Sequence, residues 1–219
     1  MYESFQLNFE KYYSGGRKTT EWLLNLCRPF LDLEEATMLD WGCGPARIVR
    51  HLPDLLPGAT VHGTDYNRKT IAWCKEAIPE VEFGVGKLAP PLEYPDAHFD
   101  LIYGISIFTH LSEANHVAWL TELARILKPG GVLFLTTQGD IFRQKLTPTE
   151  KTQYDGGSLV VRGGVKEGHR VYSAFQPPSY FRDLCKGQLT VQQHIPGAVQ
   201  EWGLEQDVFI LTSPIGQTN

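Results

Sequence analysis

The chain has 219 residues, a length that suits one domain with a substantial buried core. Its formal net charge of -5 at pH 7 argues against general nucleic-acid binding, which needs a basic surface. No apolar run approaches the ~20 residues that span a bilayer. The first residues lack the order of a signal peptide, so we predict a cytoplasmic protein without membrane contact.

The cysteines and histidines of the sequence show no ligand spacing. The four cysteines are far apart and form no C-x-x-C, so we interpret them as free thiols in a reducing compartment. The seven histidines form no tight pair such as H-E-x-x-H. We therefore expect no structural metal.

Short apolar runs alternate with amphipathic stretches, which is typical of an α/β sheet with crossover helices. A helical cap is predicted over residues 1–31, with a first helix at 20–31. A core of strands and crossover helices follows over residues 37–137. Its five predicted strands are TMLDW (37–41), TVHGTD (60–65), VEFGV (81–85), the start of FDLIYGISIF (99–108) and VLFLTT (132–137).

Three crossover helices are predicted within this core. ARIVRHLPDLL opens after Pro45, IAWCKEAI is capped by Asn67, and EANHVAWLTELARIL is capped by Ser112 and stopped by KPGG. The apolar face of the third helix is predicted to contain Val117, Leu120, Leu123, Ala124 and Leu127.

The pattern changes after Thr137. Residues 158–175 are predicted to form a β-hairpin around a glycine-bearing turn. Residues 177–213 then supply a short helix that starts at a proline pair and two closing strands, LTVQQHI and QDVFILTS. We interpret the chain as one domain with an added hairpin.

The segment MLDWGCGPARIV places Asp40, Gly42 and Gly44 at the end of the first strand. A strand, a glycine-rich turn and a helix N-terminus form the usual nucleotide-cofactor site of open α/β sheets. A dinucleotide fingerprint needs a third glycine, but Arg47 occupies that position. A carboxylate two residues before the first glycine would repel a pyrophosphate and suits a ligand with an ammonium group. This favours S-adenosylmethionine (SAM) over NAD.

A second acid, Asp65, ends the second predicted strand. Consecutive parallel strands bring it beside the glycine turn at the carboxyl edge of the sheet, where a carboxylate can accept both ribose hydroxyls. Tyr66 follows and can lay its ring against an adenine. This pair is compatible with either cofactor.

Four segments resemble the motifs of class I SAM-dependent methyltransferases, in the broad group of small-molecule and unassigned bacterial enzymes. They are LDWGCGPARIVRHL, GTDYN, FDLIYGISIFTHL and LARILKPGGVLFLTT, and with the N-terminal YYSGG stretch the resemblance covers about residues 12–137. It implies a Rossmann-like, doubly wound, seven-stranded, mostly parallel sheet whose last strand is antiparallel, here with the added β-hairpin. It also implies SAM as cofactor, S-adenosylhomocysteine (SAH) as product and a small-molecule acceptor.

The resemblance assigns the glycine-turn residues to the cofactor. Asp40 is expected to reach the methionine part of SAM, partly through water. Gly42 and Gly44, with Cys43 between them, would let the backbone pass close to the cofactor. Asp65 matches the ribose acid of the family.

Further cofactor positions carry over, with one departure. Lys87 stands where the family usually has an acid or amide near the adenine, and a lysine accepts no hydrogen bond. The backbone of Lys87 or Leu88 is expected to serve instead. Tyr103 and Gly104 match the segment beside the methionine and the sulfonium.

The N-terminal motif of the family matches the YYSGG stretch. It implies a cofactor contact by Tyr13, and Arg17 would pair with the SAM carboxylate.

His110 lies in FTHL after the fourth strand, where substrate sites of the family begin. It is a candidate catalytic base or substrate-orienting group, and a capping or loop histidine is the alternative. We hypothesise that the 158–175 hairpin forms part of a wall or lid over the substrate, with Tyr172 and Phe175 as apolar contacts. Trp41 and Trp119 are interpreted as packing residues.

Two functions are compatible with these motifs. The first is methyl transfer from SAM to an oxygen or nitrogen of a small molecule by a monomer or homodimer. The alternative is a regulatory protein that binds SAM without turnover. A nicotinamide reductase is disfavoured by Arg47 at the third glycine position.

Overall fold

The computed structural model describes residues 8–169 and 171–215, so residues 1–7 of the predicted cap and residue 170 of the predicted hairpin lie outside it. The helices are α1 (Phe9–Cys27), α2 (Leu52–Leu55), α3 (Arg68–Ala77), α4 (Glu113–Ile126), α5 (Pro148–Asp155) and α6 (Pro178–Cys185). The strands are β1 (Thr37–Trp41), β2 (Thr60–Asp65), β3 (Glu82–Val85), β4 (Phe99–Gly104), β5 (Leu127–Thr137), β6 (Val160–Arg162), β7 (Ser173–Phe175), β8 (Thr190–Ile195), β9 (Val199–Gln200), β10 (Gly203–Leu204) and β11 (Asp207–Thr212). Short 3-10 helices occur at Val49–His51, Phe108–His110 and Asp140–Lys145.

The main sheet has seven strands in the order β3-β2-β1-β4-β5-β11-β8. Strands β1 to β5 pair in parallel, whereas β11 is antiparallel to both β5 and β8. This confirms the predicted doubly wound sheet with an antiparallel last strand. The strand order reverses between β1 and β4, and a crevice for a ligand forms beyond the carboxyl ends of the strands at such a point.

Two hydrophobic clusters cover the two faces of this sheet because successive side chains of a strand point to opposite sides. Met38 of β1 packs in one cluster with Leu23 of α1 and Ile71 of α3. Its neighbour Leu39 packs in the other cluster, to which α4 contributes Leu120. Helix α6 lies on the same side through Phe181.

The predicted helix after Pro45 is wrong in its first half. Residues 45–48 form turns, a 3-10 helix follows at Val49–His51, and only Leu52–Leu55 is α-helical. Gly44 and Ala46 have φ values of 50° and 59°, and this left-handed backbone breaks a helical run. The apolar spacing of the segment does not report this backbone geometry.

Two other predicted helices need correction. Helix α1 begins at Phe9 and ends at Cys27, earlier at both ends than predicted. Helix α4 begins after its predicted cap, since Ser112 accepts a hydrogen bond from the Asn115 amide at 3.3 Å. However, Val117 is 50% exposed, because the buried face of the helix passes through His116 instead.

The hairpin after Thr137 is confirmed, but its strands are short and the loop between them is longer than predicted. Strands β6 and β7 pair antiparallel over three residues each. The connection between them is longer than the predicted glycine-bearing turn, and its described residues, 163–169 and 171–172, have no regular secondary structure. The hairpin packs on α5, a helix that the sequence analysis did not predict, in a third cluster that contains Tyr154 and Phe175.

Three further observations concern the predicted absences and the cysteines. The four cysteines are free, as predicted, and all four are buried. Within residues 8–169 and 171–215, no group of three or more His, Cys, Asp or Glu side chains is arranged to hold a metal ion. No helix in the same part of the chain has the length and apolar character needed to cross a bilayer.

An ion pair between the buried Glu122 and the partly exposed Arg125 fixes the β3–β4 connection on α4. Glu122 accepts hydrogen bonds from the Leu92 amide at 2.8 Å and from Arg125 at 2.6 Å. Arg125 also pairs with Asp96 at 2.6 Å. Burial raises the pKa of Glu122, but the hydrogen bonds from Arg125 and Leu92 outweigh it and hold the pKa below its usual value.

Glu122→Gln is expected to lower the free energy of unfolding by about 1–3 kcal/mol at pH 7, because charge-assisted hydrogen bonds are lost. In the wild type this contribution is complete above the usual glutamate pKa and is lost as pH falls through the lower folded value. Urea unfolding at pH 7 and in acid measures both effects. The exposed Glu76 on α3, replaced with Gln, is the matched control, and equal stability of the two variants would contradict this account.

Candidate active site

The glycine turn after β1 is tied to the end of β2 by backbone hydrogen bonds. The amides of Gly42 and Cys43 donate to the Thr64 carbonyl at 2.8 and 2.9 Å. The Asp65 carboxylate accepts from the Gly44 amide at 3.1 Å and from the Asn67 amide at 2.7 Å. The structure therefore confirms that Asp65 lies beside the glycine turn at the carboxyl edge of the sheet.

The two glycines of the turn serve different purposes. Gly42 has a φ of 80°, and a Cβ there would lie 2.2 Å from Ile107 Cδ1, so a side chain at this position would collide with the Ile107 side chain. Gly44 has a φ of 50°, and a Cβ there would meet no atom of the described residues within 4 Å. Gly44 thus borders open space over the turn. Burial raises the pKa of Cys43 between them, so its thiol is a poor nucleophile.

Asp40 lies behind this turn and is almost fully buried. Burial raises the pKa of Asp40 to about 7, and its interactions with the Tyr103 hydroxyl, the Arg47 charge and the Val49 backbone oppose this rise. The negative charge of Asp65 adds to the rise. A cation placed beside Asp40 would favour its ionised form and lower this raised pKa.

Arg47 is a site residue whose role the sequence analysis missed. Its guanidinium donates to the Thr19 hydroxyl of α1 at 3.0 Å, and its charge lowers the pKa of Asp40. The sequence analysis used Arg47 only to reject the dinucleotide fingerprint. A positive charge three residues after Gly44 could have indicated this role. The incorrectly predicted helix did not show that the Arg47 side chain points toward Asp40.

Two neighbouring tyrosines on α1 lie in different surroundings. Tyr12 is buried, its hydroxyl donates to the Pro45 carbonyl at 3.4 Å, and the Asp40 charge contributes to raising its pKa after the larger effect of burial. Tyr13, the predicted contact, is 50% exposed and packs edge-on against His51. The tyrosine of this motif that reaches the glycine turn is therefore Tyr12.

Arg17, the predicted partner of the SAM carboxylate, is engaged at the surface. It pairs with Glu21 at 3.2 Å and with Asp54 at 3.8 Å. Its predicted role and that of Tyr13 stay predictions. Among the arginines named by the sequence analysis, the one whose charge acts on Asp40 is Arg47.

Tyr103 and Gly104 end β4 beside Asp40. Tyr103 is fully buried and is the direct cross-strand neighbour of Asp40. A Cβ at Gly104 would lie 2.7 Å from the Trp41 ring, so this glycine admits the indole. Trp41 is buried, as the packing interpretation requires, and it also forms part of the pocket wall.

A pocket extends from the glycine turn along the ends of β2 and β3. Its lining includes Asp65, Tyr66, Lys87, Leu88, Ile107 and His110. The Lys87 side chain is exposed to solvent. The Leu88 carbonyl accepts a hydrogen bond from the Trp119 indole at 3.1 Å, which fixes this wall to α4.

The long loop between β6 and β7, residues 163–169 and 171–172, reaches this pocket at Gly168. The Gly168 amide donates to the His110 carbonyl at 3.0 Å, and the Tyr66 hydroxyl donates to the Gly168 carbonyl at 3.3 Å. The hypothesis that the hairpin borders the cleft is therefore supported at Gly168. The Tyr172 and Phe175 side chains are buried, however, and do not supply the expected apolar contacts.

A strained turn follows β4 and contacts β5, directly before the pocket residue Ile107. Ser106 has a φ of 63°, which is costly for a residue with a Cβ. Its amide donates to the Thr136 hydroxyl at 2.8 Å, and Gln206 donates to its hydroxyl at 2.8 Å. The Thr109 hydroxyl lies 3.1 Å from the Ser106 hydroxyl. The sequence analysis missed this cluster of neutral polar groups because β5 and the segment before β11 are distant in sequence.

Comparisons with known proteins agree with this geometry. A family described as a methyltransferase domain matches residues 38–131. The chain is 36% identical over 108 residues to the trans-aconitate 2-methyltransferase of Azoarcus sp. (strain BH72), which covers 49% of this chain and 41% of that protein. It is 35% identical over 107 residues to a fatty-acid O-methyltransferase of Mycolicibacterium smegmatis, which covers 48% of this chain and 38% of that protein.

The fold has a close counterpart among solved structures. A SAM-dependent methyltransferase from Methanosarcina mazei superposes with a TM-score of 0.67 at 19% identity, over 87% of this chain and 98% of that one. Residues 38–131 therefore match a methyltransferase domain, and the chain has the fold of a SAM-dependent methyltransferase. It spans 41% and 38% of the lengths of the two curated relatives named above.

SAM is the cofactor of this family, and the site residues fit it. A ligand can approach the backbone at Gly44, where a Cβ would enter open space. The Thr64 hydroxyl, which borders the pocket, is buried without a hydrogen-bond partner among the described residues. Asp40 is a buried carboxyl suited to an ammonium group, and Asp65 is a carboxylate suited to a diol.

Proposed function

We propose that this protein transfers a methyl group from SAM to a small-molecule acceptor. The observation that carries the proposal is the hydrogen bond between Asp65 and the Gly44 amide, which places a carboxylate beside open space over the glycine turn. A pyrophosphate would meet the charges of both Asp40 and Asp65 here. A cofactor with an ammonium group and a ribose diol suits them.

Each residue of the site would bind a different part of SAM. SAM supplies a methyl group already activated on a sulfonium. Asp40 would hold the amino group of the methionine part, with Arg47 beside it to balance the buried charge, and Asp65 would accept hydrogen bonds from the ribose hydroxyls. Ile107 and Trp41 exclude water from the same pocket, so the acceptor meets the methyl group in a desolvated site.

The acceptor that we propose is a carboxylate of a small organic acid. Two named relatives act on trans-aconitate and on fatty acids, according to their names. The neighbouring cluster of Ser106, Thr109 and Gln206 consists of neutral polar groups that hydrogen-bond to one another. A carboxylate is already ionised at neutral pH and needs no base. The base role predicted for His110 would matter for a hydroxyl acceptor.

A methyl-transfer assay with labelled SAM and a panel of acids, amines and phenols tests this proposal. We expect label transfer to at least one carboxylic acid, and loss of that transfer in Asp65→Ala. The result that supports the regulatory alternative is tight SAH binding by the wild type with no transfer to any acceptor. Transfer to amines alone would overturn the proposed acceptor but keep the proposed activity.

A further inference from the structure

We infer that His110 recognises the amino group of the cofactor's adenine through its Nε2 atom. This inference rests on the proposed function, because it assumes that the pocket holds SAM. It assigns to His110 a role in cofactor specificity that differs from the role of a base. The two ring nitrogens of His110 lie in different surroundings.

The β6–β7 loop fixes the tautomer that the neutral His110 ring adopts. Nδ1 lies 2.7 Å from the Tyr172 carbonyl oxygen, which only accepts hydrogen bonds, so Nδ1 carries the hydrogen. In the neutral ring, Nε2 therefore presents a lone pair. Among the described residues, Nε2 has no hydrogen-bond partner, so this acceptor remains for a ligand.

The location of the ring matches the adenine end of the site. His110 borders the same pocket as Asp65 and Tyr66, which follow β2, and as Lys87 and Leu88, which follow β3. When Asp65 holds the ribose, the adenine ring attached to that ribose lies toward Lys87 and Leu88. His110 approaches this end of the pocket from the β4 side.

The pocket lacks the usual side-chain acceptor after β3. Lys87 only donates hydrogen bonds. The Leu88 carbonyl already accepts from the Trp119 indole. Of the side chains that border this end of the pocket, His110 offers a neutral nitrogen acceptor, which is the partner that an exocyclic amino group requires.

The loop also limits the movement of His110. Its carbonyl accepts from the Gly168 amide at 3.0 Å, while its ring donates to Tyr172. Glu167 accepts from the Ser112 amide and from the Asn115 side chain, which holds the loop on the start of α4. The ring is thus positioned before the cofactor binds, which reduces the entropy lost on binding.

Titration calorimetry with SAH and with its analogue lacking the adenine amino group tests this inference. We expect the wild type to bind the analogue about five- to twentyfold more weakly, because one hydrogen bond is lost. His110→Ala should bind the two ligands within about twofold of each other, since its selectivity is gone. His110→Gln retains an acceptor oxygen and should recover part of the selectivity. His98→Ala, which changes a histidine outside this pocket, should behave as the wild type.

Each contrary result has a distinct meaning. If the wild type and His110→Ala prefer SAH over the analogue by the same factor, the inference is overturned while the proposed function stays intact. A lower methyl-transfer rate in His110→Ala with both affinities unchanged would also overturn it and would favour the base role. Failure of the wild type to bind SAH would remove the proposed function itself. Thermal unfolding by circular dichroism identifies misfolded variants, and His110→Gln then carries the test.

Discussion

Replacement of Asp65 with alanine is expected to weaken SAH binding by on the order of 100-fold or more, because two charge-assisted hydrogen bonds to the ribose are worth about 1.5–3 kcal/mol each. Asp65 also binds the amides of Gly44 and Asn67, so the variant should lose some stability through a looser turn. Titration calorimetry gives the affinity, and thermal unfolding gives the stability. The exposed Glu80, replaced with alanine, is the control carboxylate.

Analogues of the cofactor separate the ribose contact from the structural effect. The wild type should bind SAH lacking one ribose hydroxyl more weakly than SAH, whereas Asp65→Ala should bind both equally. An unchanged dissociation constant in a folded Asp65→Ala protein would remove the ribose assignment. The wild type and Asp65→Ala could instead both bind the deoxy analogue more weakly than SAH, by the same factor. That result would show that Asp65 acts only on the turn.

SAH binding is expected to strengthen as pH rises toward 7 and to become constant above it, owing to Asp40. Burial raises the pKa of Asp40 to about 7 in the free protein, so below this pH the carboxyl must lose a proton before it binds an ammonium group. The affinity should fall by up to about tenfold for each pH unit below the pKa. Calorimetry from pH 5.5 to 8.5, in buffers that differ in ionisation enthalpy, measures both the affinity and the released proton.

Asp40→Asn is the matched variant for this pH dependence. It should bind SAH weakly at pH 8 and show little change with pH. The raised pKa also means that ionised Asp40 opposes folding, so the free energy of unfolding of the wild type should fall as pH rises from about 4 to 7. The variant lacks that decline. Identical pH profiles for the wild type and Asp40→Asn would show that another group controls binding.

The positions of Asp40 and Asp65 could be predicted from the sequence because they depend on a simple rule. Each acid lies at or near the end of a short apolar strand, and the carboxyl ends of parallel strands meet at one edge. The rule needs no side-chain detail. The antiparallel last strand, which the family resemblance implied, is present as β11.

The parts that could not be predicted depend on contacts between distant segments. The inward direction of Arg47 follows from left-handed backbone at Gly44 and Ala46, which apolar spacing does not reveal. The contact of Gly168 with His110 joins residues far apart in the chain through a loop without regular secondary structure. Tyr12 and not its neighbour Tyr13 faces the glycine turn, because the packing of α1 decides which side of the helix is buried.

The most direct measurement of the central claim is a calorimetric titration of the wild-type chain with SAH and, separately, with NAD. If the carboxylates Asp40 and Asp65 and the open glycine turn form a SAM site, SAH binds with one site per chain and NAD does not bind. Loss of the SAH signal in Asp65→Ala would place the ligand at this turn. Binding of NAD without binding of SAH would contradict the account.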